Sequence, residues 1–198
     1  VPPDNTSTVT CCAFQGRCLF IENDFTDAGV ALQFYGNAIE HICARNRSTR
    51  TAGFHNFGMI YADGIQPNWY LQWLDNRIVE GNVYRGDHDN WRLAGEAHIG
   101  VYAFPPRADW DVPLTLGTIL RRNRLDNNAH IMLGCEWSDG GFDRQGRYVR
   151  DVLVENNSVA NADLGVFAYA TIHGLVLRGN SFSNVRSPLG GPGLAELP

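Results

Sequence analysis

The sequence predicts an all-β fold, a single-stranded parallel β-helix of about six coils. Two observations carry this prediction. A pattern of two apolar residues, two mostly polar residues and an Asn recurs six times along the chain. Between consecutive Asn residues lies a second strand-like run, and no segment shows a sustained helical period.

The recurring Asn defines a column with one Asn at the same point of every coil. Its members are Asn23, Asn46, Asn82, Asn123, Asn157 and Asn180. Asn tolerates the left-handed backbone that a tight bend requires, and stacked Asn amides can hydrogen-bond from coil to coil. The column therefore predicts an Asn-ladder turn. The longer runs, interpreted as strands of one shared sheet, are residues 30–35, 58–63, 98–104, 130–136 and 164–170.

The Asn column and the order of the strands resemble the pectate-lyase-like superfamily, over roughly residues 18 to 185. The resemblance implies a right-handed β-helix whose first sheet contains the longer runs. We assign residues 18–186 to the β-helix, residues 1–17 to an N-terminal extension or cap, and the Gly- and Pro-rich residues 187–198 to a tail or linker. Because a bare solenoid end exposes strand edges, we expect residues 1–17, or a further domain or chain, to cap the β-helix.

Composition excludes several classes of function. The formal net charge is −5 and the basic residues form no stripe, which argues against nucleic acid as a partner. No apolar stretch is long enough to span a membrane. All 16 basic residues are Arg, so no Lys can act as a general base. The chain opens Val1-Pro2-Pro3 without Met, as a processed piece would, and we expect a secreted or extracellular protein.

Insertions in the middle coils indicate the side on which a ligand would bind. All five Trp fall within these insertions, outside the predicted strands, and Trp rings on loops can stack on sugar rings. The alternative is that they pack the loops against the solenoid. The Trp residues that we select as candidate ligand contacts are Trp69, Trp73, Trp110 and Trp137.

Side chains alternate along a strand, which predicts an aromatic and acidic outward face on the first sheet. The inward set would be aliphatic, with Leu32, Val101 and Leu133 among its members. The outward residues that we select as candidate substrate contacts are Tyr35, Tyr61, Tyr102, Phe104 and Tyr169.

Two carboxylates on this face suggest catalysis. Asp63 and Glu136 both end predicted first-sheet strands, two coils apart. Their separation would be about 9–10 Å from the spacing of strands. That distance lies near the upper end expected for inverting glycoside hydrolysis, in which one carboxyl protonates the leaving group and the other activates water. The paired-Asp and Gly-His-Gly signatures of polygalacturonase-like hydrolases are lacking, and two unrelated surface carboxylates are the alternative.

A second candidate group is a set of histidines. His98 and His130 begin equivalent strands, with His55 one coil earlier, and could supply general acid–base chemistry or ligate a metal. A stacked side-chain ladder without function is the alternative. The segment Asp87-His88-Asp89 offers oxygens to Ca²⁺, but three adjacent residues do not form a cage, and we expect no other cofactor.

These features together favour a carbohydrate-active domain that binds, and cleaves, a poly- or oligosaccharide on the first sheet. Hydrolysis is favoured slightly over elimination, because the chain has no Lys and Arg stays protonated. The alternative is a non-catalytic carbohydrate-binding or structural module of a larger protein.

Overall fold

A computed structural model of the chain describes residues 7–12, 16–61, 64–80, 97–103, 112–134 and 145–194; for Ser7–Cys12, Ile60, Tyr61 and Ala97 it describes the backbone alone. All regular elements in these residues are strands, so the prediction of an all-β fold is confirmed. The strands are β1 (Ser7–Cys12), β2 (Leu19–Ile21), β3 (Asp24–Thr26), β4 (Val30–Tyr35), β5 (Ala38–Ile39), β6 (Ile42–Ala44), β7 (Arg47–Thr49), β8 (Gly53–Tyr61), β9 (Gly64–Gln66), β10 (Asn68–Trp69), β11 (Gln72–Leu74), β12 (Arg77–Glu80), β13 (Ala97–Ala103), β14 (Thr115–Leu116), β15 (Ile119–Arg121), β16 (Arg124–Asp126), β17 (Ala129–Gly134), β18 (Val149–Arg150), β19 (Leu153–Glu155), β20 (Ser158–Ala168), β21 (Val176–Arg178) and β22 (Ser181–Gly190).

The strands form three sheets that the chain visits in a recurring order. Twelve strands make a nearly barrel-shaped sheet, four make a second sheet in the order β18-β14-β10-β5, and six make a third in the order β2-β6-β11-β15-β19-β21. The strands β4, β5, β6 and β7 occupy the same sheets as β8, β10, β11 and β12 one repeat later. Among the described strands, all pairings are parallel except the β8–β9 hairpin. No helix in the described residues is long and apolar enough to cross a membrane.

The predicted inward set is buried where the structure describes it. Leu32, Val101 and Leu133 are 0% exposed, and they lie in one continuous hydrophobic cluster. Strand alternation explains the result, because residues of one parity on adjacent parallel strands share a face. The core therefore lies between the three sheets, and residues of the opposite parity on β4, β8, β13, β17 and β20 face outward.

The predicted Asn ladder exists, with one correction. Consecutive rungs are joined by an amide hydrogen bond, from Asn23 Nδ2 to Asn46 Oδ1 at 2.9 Å and from Asn46 Nδ2 to Asn76 Oδ1 at 3.0 Å. The later rungs, Asn123, Asn157 and Asn180, continue the series in the same way. The third rung is Asn76 and not Asn82. Residues 78–80, which we predicted to precede the ladder bend, follow it as part of β12.

The left-handed residue at the ladder bend is also not the Asn itself. It is the residue before each rung, with φ near 55° at Glu22, Arg45, Asp75, Arg122 and Asn156, and φ 64° at Gly179. The four charged residues of this set make charge pairs between repeats, Arg45 with Glu22 and Arg122 with Asp75, each at 2.7 Å. The Arg122 hydrogen bond holds the pKa of Asp75 below its usual value. The rung Asn contributes hydrogen bonds, and its neighbour supplies the bend.

Both predicted terminal segments contain regular structure. Strand β1 pairs with β4 and extends the large sheet, so residues 7–12 add a strand to it. Strand β22 continues to Gly190 against β20, beyond the boundary predicted at residue 186. Pro188 is tolerated because β22 is an edge strand. A Cβ at Gly193 would lie 1.9 Å from the Ala170 carbonyl oxygen, so Gly there allows close backbone approach.

Candidate functional site

The outward face of the large sheet carries a line of aromatic side chains, which we call the aromatic row: Tyr35, Phe57, Tyr102 and Tyr169. Strand register aligns the first three, because Tyr35 pairs with Phe57 and Phe57 pairs with Tyr102. Tyr102 pairs in turn with Gly134, whose neighbouring residue Leu133 accepts a hydrogen bond from the Tyr169 amide at 2.8 Å. The row thus crosses successive strands, with one position at which no side chain is present.

Rings of the aromatic row are in contact. The centroids of Tyr35 and Phe57 lie 5.6 Å apart, and those of Phe57 and Tyr102 lie 4.9 Å apart in a stacked arrangement with an interplanar angle of 25°. At the other end, Tyr169 contacts Phe167 at 4.8 Å edge to face. The three tyrosines are partly exposed, whereas Phe57 is 7% exposed. Within the row, the partly exposed rings of Tyr35 and Tyr102 therefore flank the buried ring of Phe57.

Tyr102 is held in a defined position on its strand. A Cβ at Gly100 would lie 2.2 Å from the Tyr102 ring, so the ring lies over Gly100. The Tyr102 hydroxyl donates to Met132 Sδ at 2.8 Å. Sequence reasoning selected Tyr35, Tyr102 and Tyr169 but missed Phe57. Alternation could have identified Phe57, because it has the same parity as Tyr61 and so faces outward. The predicted strand began at residue 58, whereas β8 begins at Gly53, and Phe57 was therefore left out.

The predicted histidine group also assembles. His55 and His98 stack with ring centroids 4.4 Å apart and an interplanar angle of 9°, and His98 and His130 lie 5.4 Å apart. We call these three residues the histidine stack. Burial lowers the pKa of His55 and of His130 to about 4. Burial, together with the two flanking histidines, lowers the pKa of His98 well below its usual value.

The geometry favours a structural ladder over catalysis for the histidine stack. His98 is 4% exposed and His130 is 1% exposed, and a general acid or base must reach the proton it transfers. Rings stacked face to face do not direct their nitrogens at a common point. The described residues contain no group of three or more His, Cys, Asp or Glu side chains placed to hold a metal ion.

Two tryptophans predicted to lie in ligand-binding loops lie in strands. Trp73 is on β11 and is 0% exposed, so the prediction that it contacts a ligand is wrong. It occupies the inward position that Cys43 and Leu120 fill on the adjacent strands, and it stacks on Phe54 with centroids 5.6 Å apart. Its burial follows from the ladder frame, since Trp73 precedes Asn76 by the three residues that separate Phe20 from Asn23.

Trp69 is partly exposed but lies away from the aromatic row. It is on β10 in the four-stranded sheet, and its indole Nε1 donates to the Pro113 carbonyl oxygen at 2.9 Å. The remaining candidates lie outside the described residues or their described side chains: Tyr61, Asp63, Phe104, Trp110, Glu136, Trp137 and the segment Asp87-His88-Asp89.

Comparison with known proteins found no match: no family model, no curated protein and no solved structure matches the chain.

Proposed function

We propose that the protein binds a polysaccharide along the aromatic row. The observation that supports this proposal is the alignment of partly exposed tyrosines on alternate strands of one sheet. Aromatic faces pack against the apolar faces of sugar rings, and tyrosine hydroxyls provide hydrogen-bond partners for sugar hydroxyls. A row that runs across the strands suits an extended chain ligand. Such a ligand favours a secreted or extracellular location.

We propose further that the three sheets form a right-handed parallel β-helix of about six coils. The recurring order of strands, their parallel pairing and the six Asn rungs support this architecture. In such a solenoid, the aromatic row would run parallel to the long axis.

Tyrosine substitution tests the binding proposal. Tyr35→Ala and Tyr169→Ala should each weaken polysaccharide binding by roughly tenfold, about 1.4 kcal/mol, in titration calorimetry against a panel of neutral and acidic polysaccharides. Tyr70→Ala is the matched control, because Tyr70 is 50% exposed and lies in the turn between β10 and β11. Equal affinity of all three variants and the parent, or no binding to any polysaccharide, would contradict the proposal.

Cleavage of the bound chain is a second proposal and rests on Asp63 and Glu136. They follow β8 and β17, and β13 lies between those two strands in the sheet. Phe57 and Gly134 both pair with Tyr102, so Asp63 follows that row by six residues and Glu136 by two. The proposal therefore rests on the place of both carboxylates after neighbouring strand ends of one sheet, where an inverting hydrolase would carry its acid and its base. Glu136→Gln and Asp63→Asn should abolish the release of reducing ends while binding persists. Product that absorbs as an unsaturated sugar would indicate elimination instead, and no product from the parent protein would leave only the binding function.

A further inference from the structure

The two ends of the strand stack differ from its middle in exposing apolar side chains. Of the five large hydrophobic residues exposed in the described part of the chain, four lie on the terminal strands β2, β21 and β22. Leu19 and Val176 begin and end one column of the six-stranded sheet, and they are 65% and 46% exposed. The column members between them include Ile119 and Leu153, which are only partly exposed because a strand flanks them on each side.

The two ends also carry complementary hydrogen-bonding groups. In every rung the main-chain N–H and the Nδ2 group donate to the Oδ1 atom of the next rung, as Asn157 does to Asn180 at 3.0 Å. Each later rung donates back to a carbonyl of the repeat before it, as Asn180 does to Val154 at 2.8 Å. The series therefore ends with donors at Asn180 and begins with an acceptor, Oδ1, at Asn23.

The two ends also differ in charge: the first repeat is acidic and the last repeat carries basic residues alone. Residues 7–29, which form the first repeat from β1 to β3, contain three acidic residues, Glu22, Asp24 and Asp27, and one Arg. Glu22 and Asp27 pair with Arg45 and Arg50 of the next repeat, so Asp24 is the carboxylate that this end offers to a partner. Residues 171–194, which form the last repeat, contain no acidic residue, and their Arg178 and Arg186 pair with Glu155 and Asp163 of the repeat before. Surfaces of opposite sign attract and orient one another in association.

We propose that the last repeat of one copy of this chain docks on the first repeat of a second copy, so that the six-stranded sheet, the Asn ladder and the short strand after the ladder continue across the interface. Continuation of the register places Val176 beside Leu19 of the second copy, and Asn180 donates to Oδ1 of its Asn23. Ser181 then lies beside Asp24, because Asp24 and Ser181 occupy the two ends of one column of paired residues. The contact is head to tail and does not close, so longer assemblies follow from the same interface. Sugar binding is not required.

Opposite substitutions at one exposed residue test this proposal. Sedimentation velocity of the 198-residue chain over a range of concentrations should show mass that rises with concentration beyond the dimer. Ser181→Asp, which faces Asp24, should weaken association by at least about tenfold, and Ser181→Arg should strengthen it several-fold. Adding Asp24→Arg to Ser181→Asp should restore association. Tyr70→Asp is the control, because Tyr70 is exposed to a similar degree as Val176 but lies in a middle repeat. It should leave the association constant unchanged.

Several results would overturn the proposal. A parent protein that stays monomeric at all concentrations would do so, as would a closed dimer. Equal effects of Ser181→Asp and Ser181→Arg would show that association is not governed by this register. Circular dichroism of each variant establishes that a loss of association is not a loss of folding.

Discussion

At the scale of single residues, the histidine stack shows how burial sets protonation. The rings of His55 and His98 lie face to face at 4.4 Å, and a charge on one would repel a charge on the other. Since burial lowers the pKa of His55 and of His130 to about 4, the stack is neutral at physiological pH. Neutral imidazoles can stack face to face without charge repulsion, and the stack contacts the aromatic row: the His55 and Phe57 centroids lie 5.5 Å apart, and those of His98 and Tyr102 lie 5.8 Å apart.

The histidine stack predicts that acid destabilises the fold. The pKa of these rings is lower in the folded chain than the usual 6.5, so the unfolded chain binds more protons below pH 6.5. Stability should therefore be constant above that pH and fall between pH 6.5 and about 4, by about 3 kcal/mol for His55 and about the same for His130. Urea unfolding at pH 7.5, 5.5 and 4.5 measures the loss.

Two variants sharpen this measurement. His130→Phe should flatten part of the decline, because one titrating ring is removed. His173→Asn is the control, since His173 is exposed, and its profile should match that of the parent. A free energy of unfolding that does not change from pH 7.5 to 4.5 would refute the account.

At the scale of elements, the Asn ladder joins the repeats. Asn123 is 1% exposed; its Oδ1 accepts from Asn76, and its Nδ2 donates to Asn157 and to the Trp73 carbonyl oxygen. A central rung therefore satisfies buried groups of both neighbouring repeats. Removal of its side chain leaves those groups buried without partners, which costs more than the hydrogen bonds themselves contribute.

Rungs should therefore differ in importance according to their place in the ladder. Asn123→Ala should lower the free energy of unfolding by about 3 kcal/mol, because several buried groups lose partners. Asn180→Ala, at the partly exposed end of the ladder, should cost less than half as much. Urea unfolding at neutral pH compares the two, and equal losses would contradict a role that depends on burial.

The third repeat shows how far sequence could specify these elements. The column was predicted correctly at five rungs because an apolar pair precedes each Asn there. At the third rung that pair is Gln72-Trp73, whereas Ile78 and Val79 precede Asn82 and fit the pattern better. Only the second position of the pair faces inward, as Trp73 does, so a polar residue at the first is tolerated. The pairing of β11 with its neighbouring strands decides which Asn becomes the third rung. A single sequence does not reveal how neighbouring strands are aligned.

At the scale of the whole molecule, the parallel all-β architecture was predictable, and the ligand chemistry was predictable only as candidates. Period and alternation identified the strands and the inward set, because both follow from backbone geometry. Burial of His98 depends on what packs against its strand, which the pattern of a single strand does not contain. Burial of Trp73 follows only once the third rung is placed at Asn76. The same limit applies to β22, whose Gly and Pro residues indicated a tail until its neighbour was known.

A stack in which each repeat contacts mainly its neighbours predicts uneven stability along the chain. Amides of β11 and β15, which lie between flanking strands, should exchange hydrogen most slowly. Amides of β2 and β21, at the two edges of the same sheet, should exchange at least about tenfold faster. Hydrogen exchange followed by mass spectrometry measures both in one sample. Uniform protection across the sheet would indicate that the molecule opens only as a unit.

The one-way direction of the Asn rungs has a consequence for synthesis. Besides the carbonyl that a rung reaches in the repeat before it, each rung finds an acceptor for its main-chain N–H and its Nδ2 group in the repeat that follows it in the chain, as Asn46 does in Asn76. A repeat that leaves the ribosome therefore carries unsatisfied amide donors until the next repeat emerges. During translation, the most recently folded repeat is therefore always the one whose rung donors lack acceptors. The order in which the residues are joined is thus also the order in which the rungs are completed.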